Sequence, residues 1–274
     1  MKIAAINDLS GLGKCSLLAD ISVLSSMGFE VCPVPTAVLT AQTEFPSYYI
    51  HDTGDIIFHS MEEWEKMGVQ FDGILTGFLP HQRQADDVIN FVKCFKKEKT
   101  ILLVDPVMGD DGVCYSNYSE DMLNKIKLLT SKADIITPNL TELCLLAGEN
   151  APEFIDGIKS GSDLESVVCL AEKIRRDTKQ SIVITGIPIK KDDLYNIVIN
   201  SECVEIIPCK TNGKSYSGTG DLFAATLMGN ILTGASVIDA VRSTVDFISK
   251  AIAITLLKDR NYGVDFEKIL ASKQ

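Results

Sequence analysis

Several features are scarce in this 274-residue chain, and each scarcity removes a class of function. No apolar run approaches the ~18–20 residues needed to span a bilayer, so no membrane role is expected. Basic residues are in deficit: 26 Lys and Arg stand against 37 Asp and Glu, for a formal charge of −11. A surface that acidic repels nucleic acid and anionic lipid, and neither is expected as a partner. The densest basic cluster, Lys96, Lys97 and Lys99, reads as the solvated end of a helix. Histidine is rare as well, and His51, His59 and His81 have no metal-ligand spacing. The eight cysteines contain no C-x-x-C pair, which excludes a zinc ribbon and a thioredoxin-type redox pair. In a chain of this length they read mostly as small buried hydrophobes rather than a disulfide framework.

What is present is enough for a large core. The chain is 46% hydrophobic and 23% charged, values of an ordered globular protein. Met1 to Asn7 lacks the charged, apolar, small-residue layout of a secretion signal and reads as a first strand. A cytoplasmic location is the expectation. No linker, low-complexity tract or internal repeat interrupts the sequence, so one domain over 1–274 is expected.

Strand-like and helix-like stretches alternate. Strands are predicted at Lys2–Ile6, Glu30–Leu39, Tyr48–Ile50, Gly73–Thr76, Ile101–Val104, Ala133–Thr137 and Ser181–Thr185. Tyr195–Ile199 and Val204–Ile207 alternate at period two and predict an antiparallel hairpin. Helices are predicted at Lys14–Met27, where Leu17, Leu18, Ile21, Leu24 and Met27 recur at helical spacing, and at Glu62–Met67, His81–Lys97 and Ser119–Leu129. Further helices are predicted at Asn139–Leu146, Asp163–Asp177, Gly220–Leu232, Ser236–Leu257 and Phe266–Ala271. Continuously apolar strands alternating with helices imply an α/β fold with a mostly parallel sheet covered on both faces. Ligands of such sheets bind at the carboxyl edge. Polar punctuation falls there: Asn7-Asp8-Leu9-Ser10-Gly11, Thr76-Gly77, Asp105-Pro106, Thr137-Pro138-Asn139 and Thr185-Gly186. Residues 33–59 break the alternation and are the candidate lid.

The strongest motif is Ser217-Gly218-Thr219-Gly220-Asp221, running into an apolar helix. Gly218, Thr219 and Gly220 can curl so that successive N–H groups point inward, and the helix dipole adds positive charge in the same direction. That makes an anion hole for a phosphoryl group in transit. Asp221 beside it can accept the proton of an attacking hydroxyl. The bland alternative is that Asp221 is an N-cap after a tight turn. A second run, Asp105-Pro106-Val107-Met108-Gly109-Asp110-Asp111-Gly112, sets carboxylates after a buried strand, with Asp105 and Asp110 as candidate magnesium ligands. In a third, Asn139 and Glu142 sit at another helix start, for a site or for a capping box. Ser10-Gly11-Leu12-Gly13-Lys14-Cys15-Ser16 only imitates a P-loop: Asp8 holds the first-glycine position, and Cys15 follows the lysine. Ser10 remains a candidate donor to substrate.

Together these motifs resemble the ribokinase-like superfamily, and within it the pyridoxal/pyridoxamine kinases of vitamin B6 salvage. The resemblance covers nearly the whole chain. It implies a three-layer α/β/α fold with a small β lid, a homodimer, ATP as co-substrate, Mg²⁺, and often a monovalent cation. It implies Asp221 as general base on the substrate's 5′-hydroxymethyl group. Gly218, Thr219 and Gly220 are then the anion hole, and Asp105, Asp110 and Glu142 the metal and phosphate end, with Asn139 as helper. Thr185 matches a nucleotide contact, and Ser10, Thr43 and Phe78 lie toward the substrate. Two residues depart from the common pattern: Gly186 replaces a Ser, and Phe78 replaces a Tyr. A hydroxymethylpyrimidine kinase stays open as an alternative, since that group often has Cys where Asp221 stands. A non-catalytic sensor of a vitamer or nucleotide stays open as well.

Overall fold

The computed structural model describes residues 1–271 apart from 117, 162, 191–192, 211 and 257–258. Its frame is a nine-stranded sheet. Along the chain come β1 (Lys2–Ser10), α1 (Ser16–Ser26), β2 (Glu30–Leu39), β3 (Ile50–Asp52), α2 (Ile56–Lys66), β4 (Gly73–Thr76) and α3 (Gln82–Phe95). Then follow β5 (Ile101–Val104), the short hairpin β6 (Gly109–Asp110) and β7 (Val113–Cys114), α4 (Glu120–Thr130), β8 (Ile135–Ile136), α5 (Leu140–Ala147), α6 (Ala151–Gly161) and α7 (Leu164–Ile174). The chain closes with β9 (Ser181–Lys190), β10 (Asp193–Ile199), β11 (Val204–Cys209), α8 (Thr219–Leu232), α9 (Val237–Ile254) and α10 (Glu267–Ala271). The sheet order is β11-β10-β9-β8-β5-β4-β1-β2-β3. The six strands from β9 to β2 are parallel, and β10, β11 and β3 are antiparallel additions.

Period-two alternation builds the three layers. In β1, Ala4 and Ile6 face one core and Ile3 the other; in β5, Leu102 and Val104 oppose Leu103. The first core packs α2 to α7 against one face, and the second packs α1, α8, α9 and α10 against the other. A mostly parallel sheet with helices on both faces is therefore what the chain forms. The 204–209 strand pairs antiparallel with β10, as the period-two pattern predicts.

Several boundaries differ from expectation. β1 continues to Ser10 through a bulge between Asn7 and Leu9, so the polar run after Ile6 is strand, not loop. β9 runs on to Lys190 because β10 pairs with it, so Thr185-Gly186 is not a strand exit. What ends at Thr185 is the parallel neighbour, through a single bridge to Asn139. α2 starts six residues before the predicted Glu62, and α6 and the β6–β7 hairpin are additions. The predicted end of the last long helix, Leu257, lies outside the described residues. Of the segment at 33–59, residues up to Leu39 and Ile50–Asp52 belong to main-sheet strands and Ile56 onward to α2, so only the loop from Thr40 to Tyr49 overhangs the sheet. Pro33 and Pro35 are tolerated because β3 pairs only with Ala37–Leu39, which leaves that stretch an edge.

The cysteines correct another expectation. Only Cys15 and Cys144 are buried; the rest are half-buried or exposed, and all eight are free thiols. Among the described residues no helix is long and apolar enough to cross a membrane.

Candidate active site

The carboxyl edge of the parallel strands opens into a cleft of about 1260 Å³. Every candidate residue lines it: Ser10, Thr43, Phe78, Asp105, Asp110, Asn139, Glu142, Thr185, Gly218, Thr219, Gly220 and Asp221. Residues separated by more than 200 positions meet there because β1, β4, β5 and β8 all end at one edge and α8 begins opposite them.

The start of α8 is left open. Gly218 is the N-cap in a left-handed conformation (φ 79°), and no side chain caps the helix. The Thr219 hydroxyl is turned away, donating to the Tyr216 carbonyl at 3.0 Å. Leading amides without partners, at a half-buried helix end facing a cleft, are ready for an anion. Asp221 lies three positions into the helix, which disposes of the N-cap alternative. Gly218 is obligatory. A Cβ there would lie 2.2 Å from the Lys14 carbonyl oxygen and 2.9 Å from Cys15 Cβ. The pseudo-P-loop segment is thus packing beneath the anion turn, and its Lys14 ammonium is spent on Asp265 (2.7 Å) and Glu267 (2.9 Å).

Asp221 is held by Asn7, whose Nδ2 donates to Asp221 Oδ1 at 3.0 Å and to Asp20 Oδ2 at 3.2 Å. Asn7 Oδ1 accepts from the Asp8 amide (3.0 Å) and the Phe78 amide (2.8 Å). All four of its hydrogen bonds are made, at 3% exposure, so its orientation is fixed. Gly77 makes room, since a Cβ there would meet the Asn7 side chain at 2.5 Å. Asp20 is 1% exposed, and its Oδ1 has no partner. Sequence reasoning passed over Asn7 and Asp20 as partners of Asp221. The available signals were a polar residue closing an apolar strand and an Asp inside the apolar run Leu17–Ile21. The buried face of α1 is accordingly rotated from the predicted one. Leu17, Asp20, Val23 and Leu24 are buried, whereas Leu18 is 40% exposed.

The metal and phosphate residues sit beside this centre in different states. Asp105 Oδ1 accepts from Thr137 Oγ1 at 2.9 Å, and its Oδ2 faces Gly220. Glu142 closes a capping box: its Oε2 accepts from the Asn139 amide at 2.8 Å, and its Oε1 from the Met108 amide at 3.2 Å. Asn139 accepts from the Glu142 amide and donates to the Gly109 carbonyl, both at 2.9 Å. The capping alternative is therefore realised at both residues. Asp110 is exposed at the cleft rim on β6. Ser10 Oγ donates to Asp8 Oδ2 at 2.9 Å, so its hydroxyl proton already has a partner. Thr43 is exposed on the overhanging loop, and Phe78 is half-buried. Gly186 has φ 65°, a conformation costly for Ser, which accounts for that departure from the common pattern.

The floor is anionic and uncompensated. Burial pushes the Asp8 carboxyl up to about 6. Burial, then the charge of Asp221, pushes Asp105 to about 7. Asp20 and Glu142 are raised well above the usual range by burial first and neighbouring carboxylates second, and burial also raises Asp221. Among the described residues no Lys or Arg pairs with these five groups. Among the described residues no three Asp, Glu, His or Cys side chains form a ready-made ion site. The set fits a divalent cation that arrives with a polyphosphate and needs one protein carboxylate, and Asp105 Oδ2, facing Gly220 at the anion turn, is placed to supply it.

The sign of the pH effect follows. These carboxyls bind protons more tightly folded than unfolded, so their contribution to ligand-free stability is fully present below about pH 4 and is lost as pH rises to about 6 for Asp8 and about 7 for Asp105. We expect the Tm of the ligand-free protein to fall between about pH 4 and about pH 7, and Asp105→Asn to flatten the slope. A Tm that rises across that window would mean the floor is ionised and compensated.

Comparison with known proteins converges on one group. The phosphomethylpyrimidine kinase family matches residues 13–264, more than nine-tenths of the chain. The chain belongs to that family. A Bacteroides thetaiotaomicron protein assigned as a phosphomethylpyrimidine kinase superposes with a TM-score of 0.90 at 36% identity, covering 99% of this chain and 93% of the other. A second crystal form of it, with pyridoxal, gives a TM-score of 0.86 at 35% identity over 99% and 94% of the two chains. Pyridoxal kinase of Pasteurella multocida is 29% identical over 74% of this chain and 68% of its own. The hydroxymethylpyrimidine/phosphomethylpyrimidine kinase of Aquifex aeolicus is 26% identical over 96% and 98%. The ribokinase-like fold and the kinase family read from the sequence are both borne out.

Proposed function

We propose that this enzyme transfers the terminal phosphate of ATP to the 5′-hydroxymethyl group of pyridoxal, pyridoxine or pyridoxamine. The observation that carries the reading is the pairing of an uncapped helix N-terminus with a single oriented carboxylate in a deep cleft. The alcohol lies between Ser10, Thr43 and Phe78. Asp221, fixed by Asn7, accepts its proton while the oxygen attacks in line, and its raised affinity for protons suits a base working near neutral pH. The amides at the start of α8 stabilise charge on the migrating group and cost no reorganisation during the reaction. Thr185, beside Asn139, bounds the nucleotide end.

Magnesium belongs to the same proposal: Asp105 would hold it, with Asp110 and Glu142 acting through water. When bound it spreads the negative charge of the phosphates. A monovalent cation, a homodimer and a cytoplasmic location complete the reading, the last supported by eight unpaired thiols.

The pyrimidine alternative has its own support in the family description and in the Aquifex relative. A coupled ADP-release assay over pyridoxal, pyridoxine, pyridoxamine and hydroxymethylpyrimidine separates the two. We expect kcat/KM for the best B6 vitamer to exceed that for the pyrimidine. A reversed order moves the assignment to the pyrimidine, and ligand-induced stabilisation without ADP release would indicate a sensor.

A further inference from the structure

The cleft has an acidic floor, yet the proposed co-substrate is a polyanion. Of the cations that line it, Lys159, Lys210, Lys214 and Arg260, the arginine is the one whose backbone is bonded to the anion turn. Arg260 opens a short 3₁₀ turn, Arg260–Tyr262, that packs on the anion turn. The Ser217 amide donates to the Arg260 carbonyl at 3.2 Å, one residue before Gly218. A Cβ on Gly263 would lie 3.1 Å from the Ser217 carbonyl oxygen, so the two turns are in close contact.

The same turn is clasped to the overhanging loop. Gln42 Nε2 donates to the Asn261 carbonyl at 3.2 Å, Asn261 Nδ2 donates to the Glu44 carbonyl at 2.9 Å, and Phe45 packs edge-on against Tyr262 with ring centroids 5.1 Å apart. The backbone of Arg260 is thereby fixed between the anion turn and the overhang, while its side chain lines the cleft. Among the described residues the guanidinium makes no ion pair and donates no hydrogen bond. Five N–H donors in a planar fork thus stand at the mouth of the cleft with no partner among the described residues. The neighbouring Lys14 differs in being fully engaged with two carboxylates. An unpaired guanidinium fits phosphate oxygens by two parallel hydrogen bonds, which a lysine cannot reproduce.

We propose that Arg260 is a ligand of the β- and γ-phosphates of ATP, closing the anion site from the side opposite the α8 amides. This rests on the kinase reading of the cleft. The clasp to the overhang fixes the turn that carries Arg260.

The test compares wild type with Arg260→Ala, Arg260→Lys and Arg260→Met by calorimetric titration with ATP and with AMP, and by steady-state kinetics with pyridoxal. We expect Arg260→Ala to weaken ATP binding about tenfold to a hundredfold, the range of charge-assisted hydrogen bonds, with AMP affinity unchanged. Arg260→Lys should recover part of the loss, Arg260→Met none, and added guanidinium ion should rescue Arg260→Ala. Equal loss of AMP and ATP affinity, or ATP affinity within twofold of wild type in Arg260→Ala, overturns the assignment. A rise in the KM for pyridoxal alone overturns it too. If wild type itself releases no ADP with any alcohol, the kinase reading fails, while the ATP-against-AMP comparison still decides the role of Arg260.

Discussion

Gly218→Ala should lose both stability and turnover. The new methyl would lie 2.2 Å from the Lys14 carbonyl oxygen and 2.9 Å from Cys15 Cβ, at a φ of 79° that L-residues avoid. Backbone atoms cannot rotate away, so either the segment before α1 moves or the start of α8 does. Strain of this kind costs about 1–3 kcal/mol. The catalytic cost is larger, because a shift of about 1 Å in a reacting geometry can lower the rate ~10²-fold. Both would be read from a thermal melt and from kcat on the same preparation. Gly220→Ala is the control for stability, since its methyl meets only Asp105 Oδ2 at 3.9 Å and Ala favours a helix over Gly. That variant should melt no lower than wild type. A Gly218→Ala protein that melts and turns over as wild type would show that the turn is not pinned as described.

The difference between the two glycines also marks what was legible in the sequence. Gly218-Thr219-Gly220-Asp221 declared a turn into a helix, and the continuous apolar strands declared a parallel sheet with its ligand edge. Both rest on local patterns that tertiary contacts reinforce. The environment of Asp221 was not legible. Asn7 reaches it across 214 positions, and Asp20, the second carboxylate that Asn7 Nδ2 serves, stands inside an apolar helical run that names no partner for it. Polar residues inside apolar elements are the trace that such long-range networks leave, but one sequence does not say which partner each one meets. Lys14 shows the converse. Its local motif imitates a P-loop and fails on spacing and on Cys15, and only the fold reveals that Asp265 and Glu267 occupy its ammonium. Glu142 carried two readings from the start, and the capping box it forms is the local one, fixed by a spacing of three residues.

The Asp221 carboxylate should matter chiefly in the transfer step. It is half-buried, oriented by Asn7 Nδ2 at 3.0 Å, and shares the cleft with Asp105, whose affinity for protons it raises. Asp221→Asn keeps the shape and a hydrogen bond to Asn7 but cannot accept a proton. Removing a general base lowers the rate by about 10²–10⁴-fold. Nucleotide binding should survive, because the amides of α8 remain in place and a negative charge is removed from the floor. The variant should also melt no lower than wild type near neutral pH, since a desolvated carboxylate with raised proton affinity is itself a cost there. The decisive measurement is turnover and ATP affinity on one Asp221→Asn preparation, with the best vitamer from the substrate panel. The expected result is kcat reduced about 10²–10⁴-fold with ATP bound at least as tightly as by wild type. A near-normal kcat would contradict the assignment of the base, and parallel loss of ATP binding would contradict the separation of base and anion site.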